Sequence, residues 1–221
     1  ASGKGGTGKT TIATSLARAL VDLDQEVSFL DCDVEAPNAH LFLQPEFQHT
    51  KNVDILIPQV DGERCTACGR CAEICQYHAI VVLGQKTLVF PELCHGCGSC
   101  TLNCPEEAIH EVLNGMGTLQ SGQAGPIAFG QGTMDIGQAM AGPIIRQLKD
   151  RHIAGHIGGD RVVILDAPPG TSCPVVETMR GADFALLVTE PTPFGLHDLR
   201  LAVEVARDEL GIPVDGFTIV Q

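Results

Sequence analysis

The sequence predicts an α/β fold, a parallel sheet with helices on both faces, interrupted by a smaller α+β domain. Short apolar strands alternate with helices at both ends of the chain, which is the order that gives parallel sheets. The hydrophobic fraction is 44% and the aromatic fraction only 4%, which suits a buried parallel core of Val, Ile and Leu. Eight of the ten cysteines fall between Cys65 and Cys104, which marks the inserted domain.

Periodicity and turn residues set the expected elements. The insert is expected at 61–113, and the host domain at 1–60 and 114–221. Both ends look cut, so we expect a fragment of a longer protein. The predicted elements are helix 10–23, strand 27–30, strand 53–57 closed by Pro58, a loose hairpin within 114–142, helix 143–151, strand 162–165, helix 174–180, strand 184–188, helix 196–210 and a last strand from 217.

The inserted cysteines form two copies of one pattern, C-x2-C-x2-C-x3-C, 29 positions apart. The same shift lays Gly69 on Gly98, Ala79 on Ala108 and Ile80 on Ile109. This is the cysteine run of bacterial two-cluster ferredoxins, each holding two [4Fe–4S] clusters. One departure is that Gln76 follows Cys75 where the second copy has Pro105, a turn residue that supplies no ligand.

In the ferredoxin pattern the fourth cysteine of each run ligates the other cluster. That crossing would clamp the two halves together. The alternatives are structural zinc, which eight thiolates could also hold as two four-cysteine sites, and clusters with a purely structural role. The predicted ligands are Cys65, Cys68, Cys71 and Cys104 for one cluster, and Cys94, Cys97, Cys100 and Cys75 for the other.

Bulk properties exclude some functions. The formal net charge of −13 argues against general nucleic-acid binding, which needs basic surface. No apolar run has the roughly 18 residues of a membrane span, and no signal peptide is evident. Cysteines without a secretory signal indicate a reducing compartment, so the expected location is the cytoplasm.

A phosphate-binding loop precedes the insert. The segment 3–10 reads Gly-Lys-Gly-Gly-Thr-Gly-Lys-Thr and fits the G-x4-G-K-[ST] pattern. Its glycines let backbone N–H groups converge on phosphate oxygens at the start of a helix. Lys9 is expected to reach the β- and γ-phosphates and Thr10 to ligate Mg²⁺. The predicted nucleotide-binding residues are Gly3, Lys4, Gly5, Gly6, Thr7, Gly8, Lys9, Thr10, Thr11 and Gly170.

Three motifs in order resemble the MinD/ParA superfamily of P-loop ATPases. They are the loop with its second lysine, Lys4, then Asp31-Cys-Asp33 followed by Pro37-Asn38 (switch I), and Asp166-Ala-Pro-Pro-Gly170-Thr171 (switch II). The nitrogenase iron protein and Mrp-type iron–sulfur carriers belong to the same superfamily. With the cysteine repeat, the resemblance narrows to MinD-type ATPases carrying an inserted ferredoxin domain.

The resemblance implies roles for these residues. Lys4 would cross a nucleotide-dependent homodimer and touch the partner's ATP, and Asp33 would orient the attacking water. Asp31 and Asp166 would hold Mg²⁺ through water, and Gly170 would sense the γ-phosphate. Lys4, Lys9 and Asp33 are therefore the catalytic candidates. The alternatives are a solvated loop lysine for Lys4 and a cap or turn role for Asp31 or Asp33.

Three further residues are singled out. Cys173 follows Asp166 by seven positions, the offset of a cluster-bridging cysteine in the nitrogenase iron protein, but the favoured interpretation is a small buried residue. Cys32 is also expected to be buried. His95, inside the second cysteine run, is expected to tune or shield a cluster by hydrogen bonding.

These observations favour an ATPase in which ATP binding and hydrolysis gate electron transfer through two [4Fe–4S] clusters. The redox or client partner is not specified by the sequence. One alternative is an ATP-dependent iron–sulfur cluster carrier, although no C-x2-C pair lies outside the insert. Another is a redox-sensing regulatory module whose dimerisation follows ATP state.

Overall fold

The computed structural model describes residues 1–2, 5–153 and 161–214 in full and the backbone of 217–219. Among these residues, contacts divide the chain into two compact units: Ala1–Lys51, Gly117–Met134 and Ala141–Gln221 form the first, and Asn52–Met116 with Asp135–Met140 form the second. The second unit thus starts before the expected insert at 61–113 and includes a short segment after it. None of the described helices has the length and apolar composition needed to cross a membrane.

The elements of the described chain run in the following order. They are α1 (Lys9–Asp22), β1 (Val27–Asp31), α2 (Ala39–Leu43), β2 (Glu46–Val60), α3 (Arg70–Ile74), β3 (Ile80–Leu83), β4 (Lys86–Val89), α4 (Ser99–Leu102), β5 (Ile109–Ala124), β6 (Ile127–Met134), α5 (Gly142–Ile153), β7 (Val162–Asp166), α6 (Cys173–Met179), β8 (Leu187–Thr189), α7 (Pro193–Glu204) and β9 (Phe217–Ile219).

The main sheet is mixed, not purely parallel as expected. Its described strands follow the order β2-β5-β6-β1-β7. Strand β1 pairs in parallel with β6 on one side and β7 on the other, whereas β5 and β6 are antiparallel. Strands β8 and β9 form a separate parallel pair. The residues before the phosphate loop extend this pair, since Ala1 exchanges backbone hydrogen bonds with Leu186 and Val188.

Side chains alternate between the two faces of β1 and β6, and helices cover both faces. Phe29 and Phe129 stack with ring centroids 5.8 Å apart and join a buried cluster with Ala17 of α1 and Leu43 of α2. On the opposite face, a Cβ added at Gly132 would lie 2.7 Å from Val34 and 2.8 Å from a methyl group of Ile144 in α5. The prediction of helices on both faces is confirmed.

Several element bounds depart from the expectations. Pro58 lies inside β2 and does not close it; β2 is at the sheet edge, where a missing N–H is tolerated. The hairpin expected to be loose is regular, with eight paired positions between β5 and β6. Strand β8 starts at Leu187, three residues late. Helix α7 starts at Pro193, where Thr192 caps it by accepting a hydrogen bond from Gly195 N (3.0 Å), and after Glu204 a π-helical turn follows.

The second unit is built from two halves related by the 29-residue repeat. Phe90 N donates to Ala79 O (2.8 Å), and at the equivalent positions Asp61 N donates to Ala108 O (2.7 Å). Helices α3 and α4 both begin after a glycine with positive φ, Gly69 at 83° and Gly98 at 71°. Because backbone hydrogen bonds repeat along with residue types, the two halves share one local fold.

The close packing at Gly132 gives a test of the main sheet. We expect Gly132→Ala to lower the free energy of unfolding by about 1–3 kcal/mol. The added methyl group would lie closer to Val34 and Ile144 than the sum of their van der Waals radii. Denaturant titration followed by circular dichroism measures this change. Gly142→Ala is the matched control: no atom lies within 4 Å of its added Cβ, so a change below about 1 kcal/mol is expected. Equal losses in both variants would contradict this packing.

Candidate nucleotide and iron–sulfur sites

The phosphate loop is shaped by glycines. Gly6 and Gly8 have φ of 77° and 84°, the left-handed region that glycine adopts without a Cβ penalty. Gly8 precedes α1, and its carbonyl accepts the hydrogen bond of Ile12 N (3.0 Å). The Thr7 side chain is buried, and its hydroxyl has no hydrogen-bond partner among the described atoms. Gly3 and Lys4, which the sequence also assigned to this site, lie outside the described residues.

Two carboxylates lie side by side at the carboxyl ends of neighbouring parallel strands. Asp31 of β1 is in register with Asp166 of β7, and both are almost fully buried. Asp31 accepts three backbone hydrogen bonds, from Asp33 N at 3.1 Å and from Asn38 N and Ala39 N at 2.9 Å. Burial raises the pKa of Asp31 to about 7 against these hydrogen bonds, and the nearby Asp166 charge adds to the rise.

Asp166 connects the carboxylate pair to the phosphate loop. Burial raises its pKa, while a hydrogen bond with Thr10 and the charge of Lys9 act in the opposite direction. Its Oδ2 atom is buried and has no hydrogen-bond partner among the described atoms. Burial likewise raises the pKa of Asp33, and Lys9 opposes that rise. A cation could satisfy this buried negative cluster, and the hydroxyl and carboxylate oxygens are ligands that Mg²⁺ accepts.

The segment after Asp166 lies against the phosphate loop. Gly170 N donates to Ser2 O (3.0 Å), and a Cβ at Gly5 would lie 3.9 Å from the Pro169 side chain. Gly170 has a φ of 94° and open space where a side chain would be. The segment after Asp166 thus lies beside the phosphate loop.

The eight repeat cysteines surround two separate cavities in the second unit. The Tyr77 cavity has an open volume of about 360 Å³ and is lined by Cys75, Cys94, Cys97 and Cys100. The Glu106 cavity has an open volume of about 290 Å³ and is lined by Cys65, Cys68, Cys71 and Cys104. Each cavity thus takes three cysteines from one run and the fourth from the other, the same two sets of four that the crossed arrangement predicts.

The sulfur environments also repeat. Ala79 N donates to Cys75 Sγ and Ala108 N to Cys104 Sγ, both at 3.3 Å. Each cavity also has one hydroxyl near a thiol: Thr87 Oγ1 lies 3.4 Å from Cys65 Sγ, and Ser99 Oγ lies 3.5 Å from Cys97 Sγ. Burial raises the pKa of the thiols of Cys71, Cys94 and Cys100, whereas the Ser99 hydrogen bonds lower that of Cys97.

Single-ion geometry is absent from the described chain, where no three His, Cys, Asp or Glu side chains converge closely enough to hold one metal ion. A tetrahedral zinc with bonds of about 2.3 Å would draw its thiolates to within about 4 Å of one another. The cysteines line the walls of the two cavities.

An aromatic pair covers one cavity, and sequence reasoning missed half of it. Tyr77 and His95 stack with ring centroids 3.6 Å apart and planes 12° apart, and both line the Tyr77 cavity. Burial lowers the pKa of His95. The expectation for His95 was hydrogen bonding, but its described contact is a stack. Tyr77 is the one tyrosine of the chain, two positions after Cys75, and that proximity could have identified it.

The two remaining cysteines differ in exposure. Cys32 is fully buried, as predicted, and burial strongly raises the pKa of its thiol. Cys173 is exposed at the start of α6, so the expectation of a buried residue there is wrong. Cys173 has one side open to solvent because only residues from Val175 onward pack into the core.

A partly buried lysine joins α5 to the end of α6. Lys149 Nζ donates to three backbone carbonyls, those of Glu177 (2.7 Å), Thr178 (3.0 Å) and Arg180 (2.6 Å). Burial lowers its pKa, and interaction with Cys32 opposes that change. These carbonyls lie at the end of α6, so the ammonium caps a helix carboxyl end.

The loop, the switches and the sheet define the chain as a P-loop nucleotide-binding protein. Residues 1–211 match the model of the CobQ/CobB/MinD/ParA nucleotide binding domain, and the chain belongs to that family. It is 33% identical over 208 residues to the uncharacterized protein MJ0578 of Methanocaldococcus jannaschii, covering 92% of this chain and 70% of that one. The septum site-determining protein MinD of Pyrococcus horikoshii, solved with Mg-ADP, shares the fold, with a TM-score of 0.55 and 19% identity over 99% of this chain and 67% of MinD.

Two further relatives are named as an iron-sulfur cluster carrier and as a ferredoxin. An iron-sulfur cluster carrier protein of Helicobacter pylori is 24% identical over 220 residues, 97% of this chain and 44% of the carrier. An uncharacterized ferredoxin of Methanocaldococcus jannaschii, MJ0722, is 35% identical over 54 residues, 23% of this chain and 70% of the ferredoxin.

Removing the Lys149 cap tests its contribution. We expect Lys149→Met to lower the free energy of unfolding by about 1–3 kcal/mol, because the carbonyls ending α6 lose a charged donor. Chemical denaturation of the nucleotide-free protein measures the loss. Arg151→Met, an exposed cation two residues along the same helix, should have little effect. If both variants unfold at the wild-type denaturant concentration, the cap contributes nothing to stability.

Proposed function

We propose that this chain is an ATP-binding, ATP-hydrolysing iron–sulfur protein in which nucleotide state controls electron transfer through two [4Fe–4S] clusters. The observation that carries the proposal is the grouping of eight cysteines, four and four, around two cavities in a unit separate from the phosphate loop. The MinD/ParA family consists of ATPases, which supports the hydrolytic half.

The cysteine chemistry favours clusters over zinc. Each set surrounds a cavity and does not converge on one point. Backbone N–H groups point at Cys75 and Cys104, and such hydrogen bonds stabilise the negative charge that thiolates and sulfides carry in an iron–sulfur site. Similarity to the ferredoxin MJ0722 supports the same assignment. When bound, the clusters supply one-electron redox chemistry; the protein supplies ligands, hydrogen bonds and cover.

The nucleotide roles follow from the buried acidic cluster beside the loop. Lys9 neutralises phosphate charge, and its own charge interacts with those of Asp33 and Asp166. Thr10 and Asp166 hold Mg²⁺ together with Asp31. Asp33 orients the attacking water. Gly170, next to the loop, senses the γ-phosphate, and Lys4 completes the partner's site in a nucleotide-dependent homodimer.

The backbone offers a route from switch I to the cysteine unit. Val34 follows Asp33 directly, and its carbonyl accepts a hydrogen bond from Met134 N (2.8 Å) inside the first unit. The next residue, Asp135, donates to Met116 O (2.9 Å) inside the second unit. Val34 is thus hydrogen-bonded to the residue that precedes one of the four peptides joining the two units. ATP acts through this link only if it binds two arrangements of switch I with different affinity.

A second candidate is a carrier that delivers a cluster to client proteins. The similarity to the Helicobacter pylori carrier favours it. Against it stands the crossed grouping of the cysteines, which encloses each site within both halves of the unit and opposes release. ATP-accelerated transfer of a cluster to an apo-protein would support the carrier over the redox protein.

Paired cysteine variants test the two sites and their crossing. Anaerobically purified protein is expected to hold about eight irons per chain, as two four-iron clusters require. Cys65→Ser with Cys104→Ser removes two ligands from one cavity and should leave about four irons. Cys65→Ser with Cys75→Ser removes one ligand from each cavity and should leave both clusters unstable. Iron and sulfide analysis measures these contents.

The exposed Cys173 supplies the control for that experiment. Cys173→Ser should retain about eight irons, because the residue lies outside both cavities. Fewer than about eight irons in the wild-type protein would break the two-cluster assignment. The reverse result, about four irons in Cys65→Ser with Cys75→Ser and loss of both clusters in Cys65→Ser with Cys104→Ser, would show that the ligands do not cross.

Coupling to nucleotide is tested by potentiometry. We expect Mg-ATP to change the midpoint potential or the reduction rate of at least one cluster, because nucleotide binding alters switch I. EPR-monitored redox titration with and without Mg-ATP measures this. Lys9→Ala, which removes the phosphate-binding ammonium, should abolish the change while the iron content stays at the wild-type value. Identical potentials and rates in the presence and absence of nucleotide would refute the coupling.

A further inference from the structure

The two cysteine cavities have the same local backbone fold, but some of the side chains that line them differ. A shift of 29 residues places Tyr77 at the position of Glu106, and His95 at the position of Thr66. All four residues line cavities: Tyr77 and His95 line one, Thr66 and Glu106 the other. One cavity is thus lined by two stacked rings, and the equivalent positions of the other carry a carboxylate and a hydroxyl.

Hydrogen bonding to sulfur repeats in part between the cavities, although backbone hydrogen bonds from Gly96 and Ser99 also act on Cys94 and Cys97. Each has one backbone N–H donor to its crossing cysteine at 3.3 Å. Each has one hydroxyl near a cysteine of its own run, at 3.4 Å for Cys65 and 3.5 Å for Cys97. The ring pair is a difference in the lining side chains, since aromatic rings line one cavity and the equivalent positions of the other carry Thr66 and Glu106.

We propose that the Tyr77–His95 stack is a solvent shield over one of two inequivalent iron–sulfur sites, the one formed by Cys75, Cys94, Cys97 and Cys100. Tyr77 is 43% exposed, which is what a ring with one face on its neighbour and an edge in solvent gives. The two rings lie against each other with nearly parallel planes, so each limits the movement of the other. This inference rests on the proposed two-cluster function.

The shield has two consequences for the site beneath it. Water and small solutes reach the inorganic group less easily, so its loss is slower. The apolar cover also disfavours the more highly charged reduced form, which lowers the reduction potential relative to an uncovered site. Glu106 has the opposite effect on access at the other cavity, since a carboxylate at the mouth retains water.

Cluster loss to an iron chelator under anaerobic conditions tests the shield. The absorbance of wild-type protein should decay in two phases, and Tyr77→Ala with His95→Ala should accelerate the slow phase several-fold while leaving the fast phase unchanged. The control Thr66→Ala with Glu106→Ala changes the equivalent residues and should leave the slow phase unchanged. EPR titration should show the potential of one cluster alone rising in the Tyr77→Ala, His95→Ala variant.

A gain-of-function variant guards against misfolding as an explanation. Thr66→His with Glu106→Tyr places the two rings at the other mouth and should slow the fast phase. The inference is overturned if the protein holds about eight irons and the alanine pair leaves both phases unchanged, or accelerates both equally. A wild-type iron content near zero would overturn the proposed function itself, and the shield with it.

Discussion

Parallel pairing of β1 with β7 is the constraint on which the nucleotide site depends. Because the strands run in the same direction and in register, their last residues, Asp31 and Asp166, end side by side in a nearly water-free position. Burial favours the protonated acids, which the raised pKa of both residues reflects. Without Lys9, Thr10 and the N–H groups that face them, two adjacent carboxylates there would oppose folding.

The second unit, which contains the eight repeat cysteines, is small and has little apolar core. Its buried residues form two small clusters, and cysteines belong to both: Cys71 and Cys100 in one, Cys94 in the other. Side chains that would ligate an inorganic group are thus also core residues. In the proposed holo-protein, ligand bonds would replace much of the packing that a larger domain obtains from Leu and Ile.

Sequence patterns predicted the features that depend on residues close together in the chain. They missed the features that depend on packing between distant elements. The loop, α1 and both acidic strand ends follow from glycine spacing and apolar periodicity. The hairpin within 114–142 was expected, but its regularity was not, because Gly130 and Gly132 look like loop residues until α5 and Leu30 are seen to occupy the space where their side chains would be. Pro58 misled for a similar reason, since nothing local reveals that β2 is an edge strand.

The 29-residue repeat draws attention to the positions at which its two halves carry different residues. Within the cysteine unit, Phe90 and Asp61 repeat a backbone hydrogen bond, and Gly69 and Gly98 repeat a helix start, so the shared fold explains what the halves have in common. It does not explain why one half has Tyr77 where the other has Glu106. Under the proposed function, two equal clusters would exchange electrons without preference. A shielded site beside an open one would give the pair a direction, and that asymmetry requires only the side chains at two cavity mouths.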